Sequence, residues 1–176
     1  MKHDTPGPRQ HGPSRVPPFI EIVWSWIGAA TGIGLVGVLA HWWSRPAGLM
    51  LIGSYGASAV LLYGAPRSPL AQPRNLLGGH ILSAIVGVAC YQLFPDNQPL
   101  AAALAVATAI SVMQITRTLH PPGGATALIA VLGPQAVHDT GWLFPVPVAL
   151  GAGILLAVAL VVNNLSRQHR YPEHWF

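Results

Sequence analysis

The sequence predicts an all-α integral membrane protein. Three observations carry that reading. The 176 residues are 52% hydrophobic and 8% charged, against roughly 25% charged in a soluble domain. Mean hydropathy is +0.48. Six apolar stretches alternate with short turns rich in chain breakers, and most reach the roughly 20 residues a helix needs to cross a ~30 Å hydrocarbon core.

Residues 1–18 are rich in Pro, His and Arg and lack an apolar signal region, which predicts a disordered cytoplasmic tail. The first apolar segment is 20–41. Trp24, Trp26, Trp42 and Trp43 bracket it as interfacial residues do, and Gly28, Gly32, Gly34 and Gly37 offer close helix contact. The second segment is 47–65, the third 75–94 and the fourth 99–116. The fifth, 121–132, is clearly short. The sixth is 142–165, with Gly151 and Gly153 again placed for close packing. Turns at 44–46, 66–74, 95–98 and 133–139 carry ordinary breaker signals. Asn163 and Asn164 fall at the membrane edge, and 167–176 reads as a cytoplasmic C-terminal tail. The membrane domain is therefore 19–166.

Charge selects the topology. If all six segments cross, Lys2, Arg9, Arg15, Arg67, Arg74, Arg117, Arg167 and Arg170 share one side. The other side keeps Arg45 with Asp96 and Asp139. This positive-inside pattern puts both termini in the cytoplasm, with the chain in the cell (inner) membrane. Letting segments two and five dip in and return scatters those charges, yet the short fifth segment favours re-entry. Segments two and five are therefore read as broken or re-entrant half-helices.

The sharpest break is His120-Pro121-Pro122-Gly123-Gly124. Each proline removes an amide donor and pushes the preceding residue out of the α region. Irregular backbone at membrane depth survives only where protein or a wet cavity satisfies it. A second stretch resembles the first: Gly56-Ala57-Ser58-Ala59-Val60-Leu61 against Gly124-Ala125-Thr126-Ala127-Leu128-Ile129, each followed by a proline at the same offset, Pro66 and Pro134. Either the match is chance in an Ala/Gly/Leu-rich chain, or each half holds three segments in an inverted repeat. Paired discontinuous helices at the midplane would then form a binding site.

Helix N-termini attract anions. Gly123 and Gly124 allow close approach to backbone amides, Ser58 and Thr126 supply hydroxyls, and Arg117 and His120 add positive or donor character. These features predict a small inorganic anion near Gly56 and Gly124. Plainer readings stand beside them: Arg117 snorkelling to the interface, His120 and His80 bonding carbonyls or packing, Ser58 and Thr126 bonding within their own helices.

Other classes find little support. Cys90 is the single cysteine, so no intramolecular disulfide or cysteine metal site can form. His41, His80, His120 and His138 lack ligand spacing, so no metal or cofactor is expected. No nucleophile–base–acid motif marks an enzyme. No basic stripe interleaved with aromatics marks nucleic-acid binding.

Residues 116–127, Thr-Arg-Thr-Leu-His-Pro-Pro-Gly-Gly-Ala-Thr-Ala, resemble the signature of the HPP family of integral membrane proteins. Residues 56–59, 69–75 (including Arg74 and Asn75) and 78–80 (Gly-Gly-His80) resemble its other characteristic stretch. The resemblance spans 20–176. It implies a compact helical protein, often described with four transmembrane helices. It also implies nitrite transport, the activity associated with plant and cyanobacterial members, and relatives with additional cytoplasmic regulatory domains for which this chain has no room. The combined expectation is a transporter or channel for nitrite or a similar anion, binding at Arg117, His120, Pro121, Pro122, Gly123, Gly124, Thr126, Gly56, Ser58, Arg74, Asn75 and His80. A homo-oligomer, with a dimer favoured, is expected in the bilayer. The alternative is a non-transporting scaffold or sensor module.

Overall fold

Proline sets most of the helix starts. Pro73, Pro99, Pro121 and Pro145 each occupy one of the first two positions of a helix. A missing amide costs nothing there, because the first helical amides have no intrahelical partner. Asn97 adds a side-chain cap, its carbonyl accepting from the Leu100 amide at 3.1 Å.

The computed structural model describes residues 16–43, 51–166 and 170–175. The chain runs through α1 (Phe19–Trp43), α2 (Ser54–Ala59) continuing into a π-helical turn (Val60–Gly64), and a 3-10 turn (Pro69–Ala71). Then come α3 (Pro73–Leu93), α4 (Gln98–Ile115), α5 (Pro121–Leu132), α6 (Gln135–Thr140), a 3-10 turn (Gly141–Leu143) and α7 (Pro145–Leu165). No strand occurs among the described residues. Helices α1, α3, α4 and α7 are long and apolar enough to cross a membrane, and α5 is a shorter apolar helix.

The fifth segment falls where the sequence puts it, at Pro121–Leu132. Three expectations need correction. The 133–139 turn contains helix α6, and 142–144 is a 3-10 turn and junction before α7 rather than the start of a long helix. In the described part of the second segment, residues 51–53 are not helical and the helix begins at Ser54. The 44–46 turn, residues 47–50, most of the N-terminal tail (1–15) and residues 167–169 and 176 lie outside the described residues.

Glycines set the spacing at the centre. A Cβ on Gly123 would lie 2.8 Å from the Gly79 carbonyl oxygen and from Ser83 Oγ. One on Gly87 would lie 2.6 Å from the Ala127 carbonyl and the Ala130 Cβ. Helix α5 therefore lies along α3, backbone near backbone, running in the same direction. Gly28, Gly32 and Gly151 instead make room for aromatic rings, Tyr63 for the first two and Tyr55 for the third. Those tyrosines donate to helix carbonyls, Tyr55 to Val148 at 2.7 Å and Tyr63 to Leu155 at 3.0 Å. They fasten the α2 segment to α7, also running in the same direction. Gly34 and Gly153 face open space.

The C-terminal segment docks on the loop before α3. Tyr171 is buried, and its hydroxyl donates to the Ala71 carbonyl at 2.8 Å. The Glu173 amide donates to Gln72 Oε1 at 2.9 Å, while Gln72 Nε2 donates to the Pro66 and Ser68 carbonyls.

Candidate functional site

Two short helices, α2 and α5, meet inside the bundle. His120 has an extended backbone (φ −139°, ψ 104°) because Pro121 follows it, and so it ends the 116–120 connection rather than joining α5. Helix α2 runs antiparallel to α5: Ser54 lies against Thr126, and Ser58, one turn on, lies against His120. Helix α3 brings His80 between them.

Five side chains then form one hydrogen-bonded chain, every member buried. His120 Nδ1 donates to the Leu70 carbonyl at 2.8 Å. Its Nε2 is 2.9 Å from Ser58 Oγ, which is also 2.7 Å from His80 Nε2. His80 Nδ1 is 2.7 Å from Thr126 Oγ1, and Thr126 donates to Ser54 Oγ at 2.9 Å. The Tyr55 ring stands edge-on to His80, and the two imidazoles are edge-on to each other with centroids 5.1 Å apart. Ser58 and Thr126 also reach carbonyls of their own helices, at 3.3 and 3.4 Å, longer than any link in the chain.

The other expected residues take different places. Asn75 donates to the Leu119 carbonyl at 2.8 Å, and Arg74 to the Thr116 carbonyl at 2.6 Å. Together they hold the connection that ends in His120. Arg117 is exposed at the end of α4 with φ 56°, where the Arg117 and Thr118 amides close the helix by donating to Gln114 and Met113. Gly56 faces outward with nothing near a Cβ, and Gly124 faces Val106 of α4. Pro122 and Gly123 are buried and Pro121 is exposed.

The first three backbone nitrogens of α5 offer no free amide. Pro121 and Pro122 have none, and the Gly123 amide donates to the His120 carbonyl at 2.8 Å. At the start of α2 the Tyr55 and Gly56 amides donate to Ile52 and Gly53. Ser54, the Leu70 carbonyl and Tyr55 belong to the site and escaped the sequence reading. Only Ser54 left a trace, lying one helical turn before Ser58.

A half-open cavity of 210 Å³ lies at the end of the π-helical turn, lined by Pro17, Glu21, Trp24, Ser25, Tyr63 and Asn163 among others. Ser25 donates to the Tyr63 carbonyl at 2.6 Å and Asn163 to the Leu62 carbonyl at 2.9 Å. These bonds occupy carbonyls at the end of the helical run. Among the described residues no group of three or more His, Cys, Asp or Glu side chains is arranged to hold a metal.

A model of the HPP transmembrane region matches residues 14–172. A transmembrane protein of Dictyostelium discoideum is 47% identical over 166 residues, covering 92% of this chain and 58% of the relative. A second from the same organism is 46% identical over 161 residues, covering 89% of this chain and 51% of the relative. The chain thus spans just over half the length of these curated relatives. No solved structure matches.

Proposed function

The chain belongs to the HPP transmembrane family, and on that premise we propose that it transports a small inorganic anion of the nitrite class past the paired half-helices. The observation carrying this reading is the buried polar chain joining α2 and α5. A membrane protein keeps interrupted helices and buried polar side chains mainly along transport pathways. The two helices overlap with their positive ends inside the protein, and the anion's partners are His120, Ser58, His80 and Thr126. Because the first two positions of α5 lack an amide and the third amide is engaged, side chains rather than a backbone nest would hold the ion. The 210 Å³ cavity at the π-helical turn serves as one mouth.

The inverted repeat is part of the proposal. Exchanging α1 with α4, α2 with α5 and α3 with α7 carries the packing pairs α1–α7, α1–α2 and α2–α7 into α3–α4, α4–α5 and α3–α5. It leaves α2–α5 and α3–α7 as themselves. Six crossings follow, with α2 and α5 as broken ones. Arg67, Arg74, Arg117 and Arg170 then lie toward the cytoplasm of the cell membrane with both termini, and Asp96 and Asp139 lie opposite. Gly53 and Gly56 on the open face of α2 suit contact with a second copy.

A serine between two imidazoles is also the beginning of a nucleophile–base pair. Here the carbonyl of Leu70 backs one imidazole and the hydroxyl of Thr126 the other, with no carboxylate behind either. We therefore favour transport over catalysis. The sealed, mutually bonded chain favours a second reading, a membrane scaffold or sensor that moves nothing. Nitrite flux into proteoliposomes separates the two. Flux above empty vesicles, reduced by His120→Ala, is expected; flux equal to empty vesicles refutes transport by this protein.

A further inference from the structure

We infer that the buried chain from Ser54 to His120 is a binding site for one proton, held between His80 and His120 through the hydroxyl of Ser58. The inference deepens the transport reading by naming what travels with the anion, but the site itself is argued from a count of hydrogens.

One end of the chain is an obligate acceptor and the other a hydroxyl that can donate or accept. The Leu70 carbonyl can only accept, so His120 Nδ1 carries a hydrogen. At the other end Thr126 is placed to donate to Ser54 Oγ. Three contacts lie between: Thr126 to His80 Nδ1, His80 Nε2 to Ser58, and Ser58 to His120 Nε2. Five contacts need five hydrogens. Thr126, Ser58, Ser54 and two neutral imidazoles bring five, so the neutral chain can close by itself; with Thr126 donating to Ser54 the Ser54 hydrogen leaves the chain and four remain. An added proton supplies the fifth.

The proton-free form closes in one way only. Ser54 turns its own hydroxyl hydrogen to Thr126, Thr126 donates to His80 Nδ1, His80 Nε2–H donates to Ser58, and Ser58 donates to His120 Nε2. The two histidines then hold opposite tautomers. In the proton-bound form Thr126 donates to Ser54 instead, and His80 Nδ1–H donates to Thr126. The extra charge moves between the imidazoles without any hydroxyl turning. His80 Nε2 gives its proton to Ser58 Oγ as Ser58 Oγ–H gives its proton to His120 Nε2. One N–H and one O–H bond break, and one O–H and one N–H bond form.

The surroundings say when the proton enters. Helices α4, α5 and α7 carry no ionisable side chain. The α2 segment faces His80 with Tyr55, and α3 carries Arg74 at its start. Arg67 and Arg117 flank the connections at that end, where Tyr171 is bonded to Ala71 and Glu173 is exposed. Glu21 and His41 lie on α1, Glu21 at the separate cavity. None of these hydrogen bonds of the cluster goes to a carboxylate. A buried imidazolium with arginines nearby needs a negative partner, and the transported anion is that partner. Proton and anion therefore bind together.

The test uses the full chain in lipid nanodiscs with ¹⁵N-labelled histidine, the two signals assigned through His80→Asn and His120→Asn. Spectra run from about pH 8 to about pH 5, the range where imidazole titrates, with nitrite as the probe. The expected result is a single shared midpoint for both rings, starting from opposite tautomers. Ser58→Ala splits it into two separate ones, and Ser58→Thr, which keeps the hydroxyl, preserves it. Nitrite binding should tighten by about tenfold per pH unit above that midpoint as pH falls. Both rings staying neutral through the range with nitrite present, or titrating independently in the parent chain, overturns the proton site. Absence of nitrite flux while the rings still share a midpoint would instead sink the transport reading alone.

Discussion

Ser58→Ala should be among the most destabilising single-atom deletions in this protein. The serine hydroxyl is the common partner of His80 Nε2 and His120 Nε2, at 2.7 and 2.9 Å, and all three side chains are fully buried. Its loss leaves one imidazole N–H and one imidazole lone pair without a partner. Each unsatisfied buried group costs about 1–3 kcal/mol, so the pair costs about 2–6 kcal/mol. Neither ring has a free alternative, because each opposite nitrogen is already committed, to Leu70 or to Thr126. For a chain of this size that loss lowers the unfolding midpoint by about 5–15 °C. Tryptophan fluorescence on heating in mild detergent measures it. The control is Ser58→Ala combined with His80→Phe and His120→Phe. Removing every partner should recover part of the loss, since apolar replacement of a whole polar set is often near neutral. A Ser58→Ala midpoint unchanged from the parent would refute the argument, because the hydroxyl would then not be holding the two rings.

Other predictions test the frame around the site. Gly87→Ala drives a methyl against the Ala127 carbonyl and Ala130 Cβ; despite a better helix former, it should lose about 1–3 kcal/mol, read by the same unfolding assay. Tyr171→Phe removes the bond to the Ala71 carbonyl, costing about 1 kcal/mol and speeding hydrogen exchange at residues 66–72. Arg117→Gly relieves a left-handed residue at φ 56° and should gain up to about 1 kcal/mol. A lower midpoint for that variant would contradict the α4 termination described.

Part of this architecture is legible because breakers are loud. Pro121 and Gly133 bracket α5, so its bounds follow from the residues alone. Helix α6 is missed because Gly133-Pro134 reads as a turn and the six residues after it are too few to display a period. Gly28 and Gly32 of α1 are visible in the sequence, but the guest they receive, the Tyr63 ring, is a tertiary fact. Ser58, His80, His120 and Thr126 are all nameable as candidates. That they touch one another is not, because their contacts span 22 to 62 positions of chain. The carbonyl of Leu70 leaves no mark at all, since every residue has one.

The double proline bears on how the break should be understood. An interrupted membrane helix invites the view that its freed amides grip an anion. Here the two prolines take away two of those amides, and the His120 carbonyl engages that of Gly123. What the prolines supply is direction: an extended His120 whose ring points back at α2 instead of along α5. Gly79 and Gly123 then let that ring and the α5 backbone come close to α3, where any larger residue would strike His120 Cβ or the Gly79 carbonyl. The motif is thus a device for seating an imidazole against Ser58 and His80. On the proposed transport reading, selectivity comes from the protons those side chains exchange more than from the dipole of a helix end.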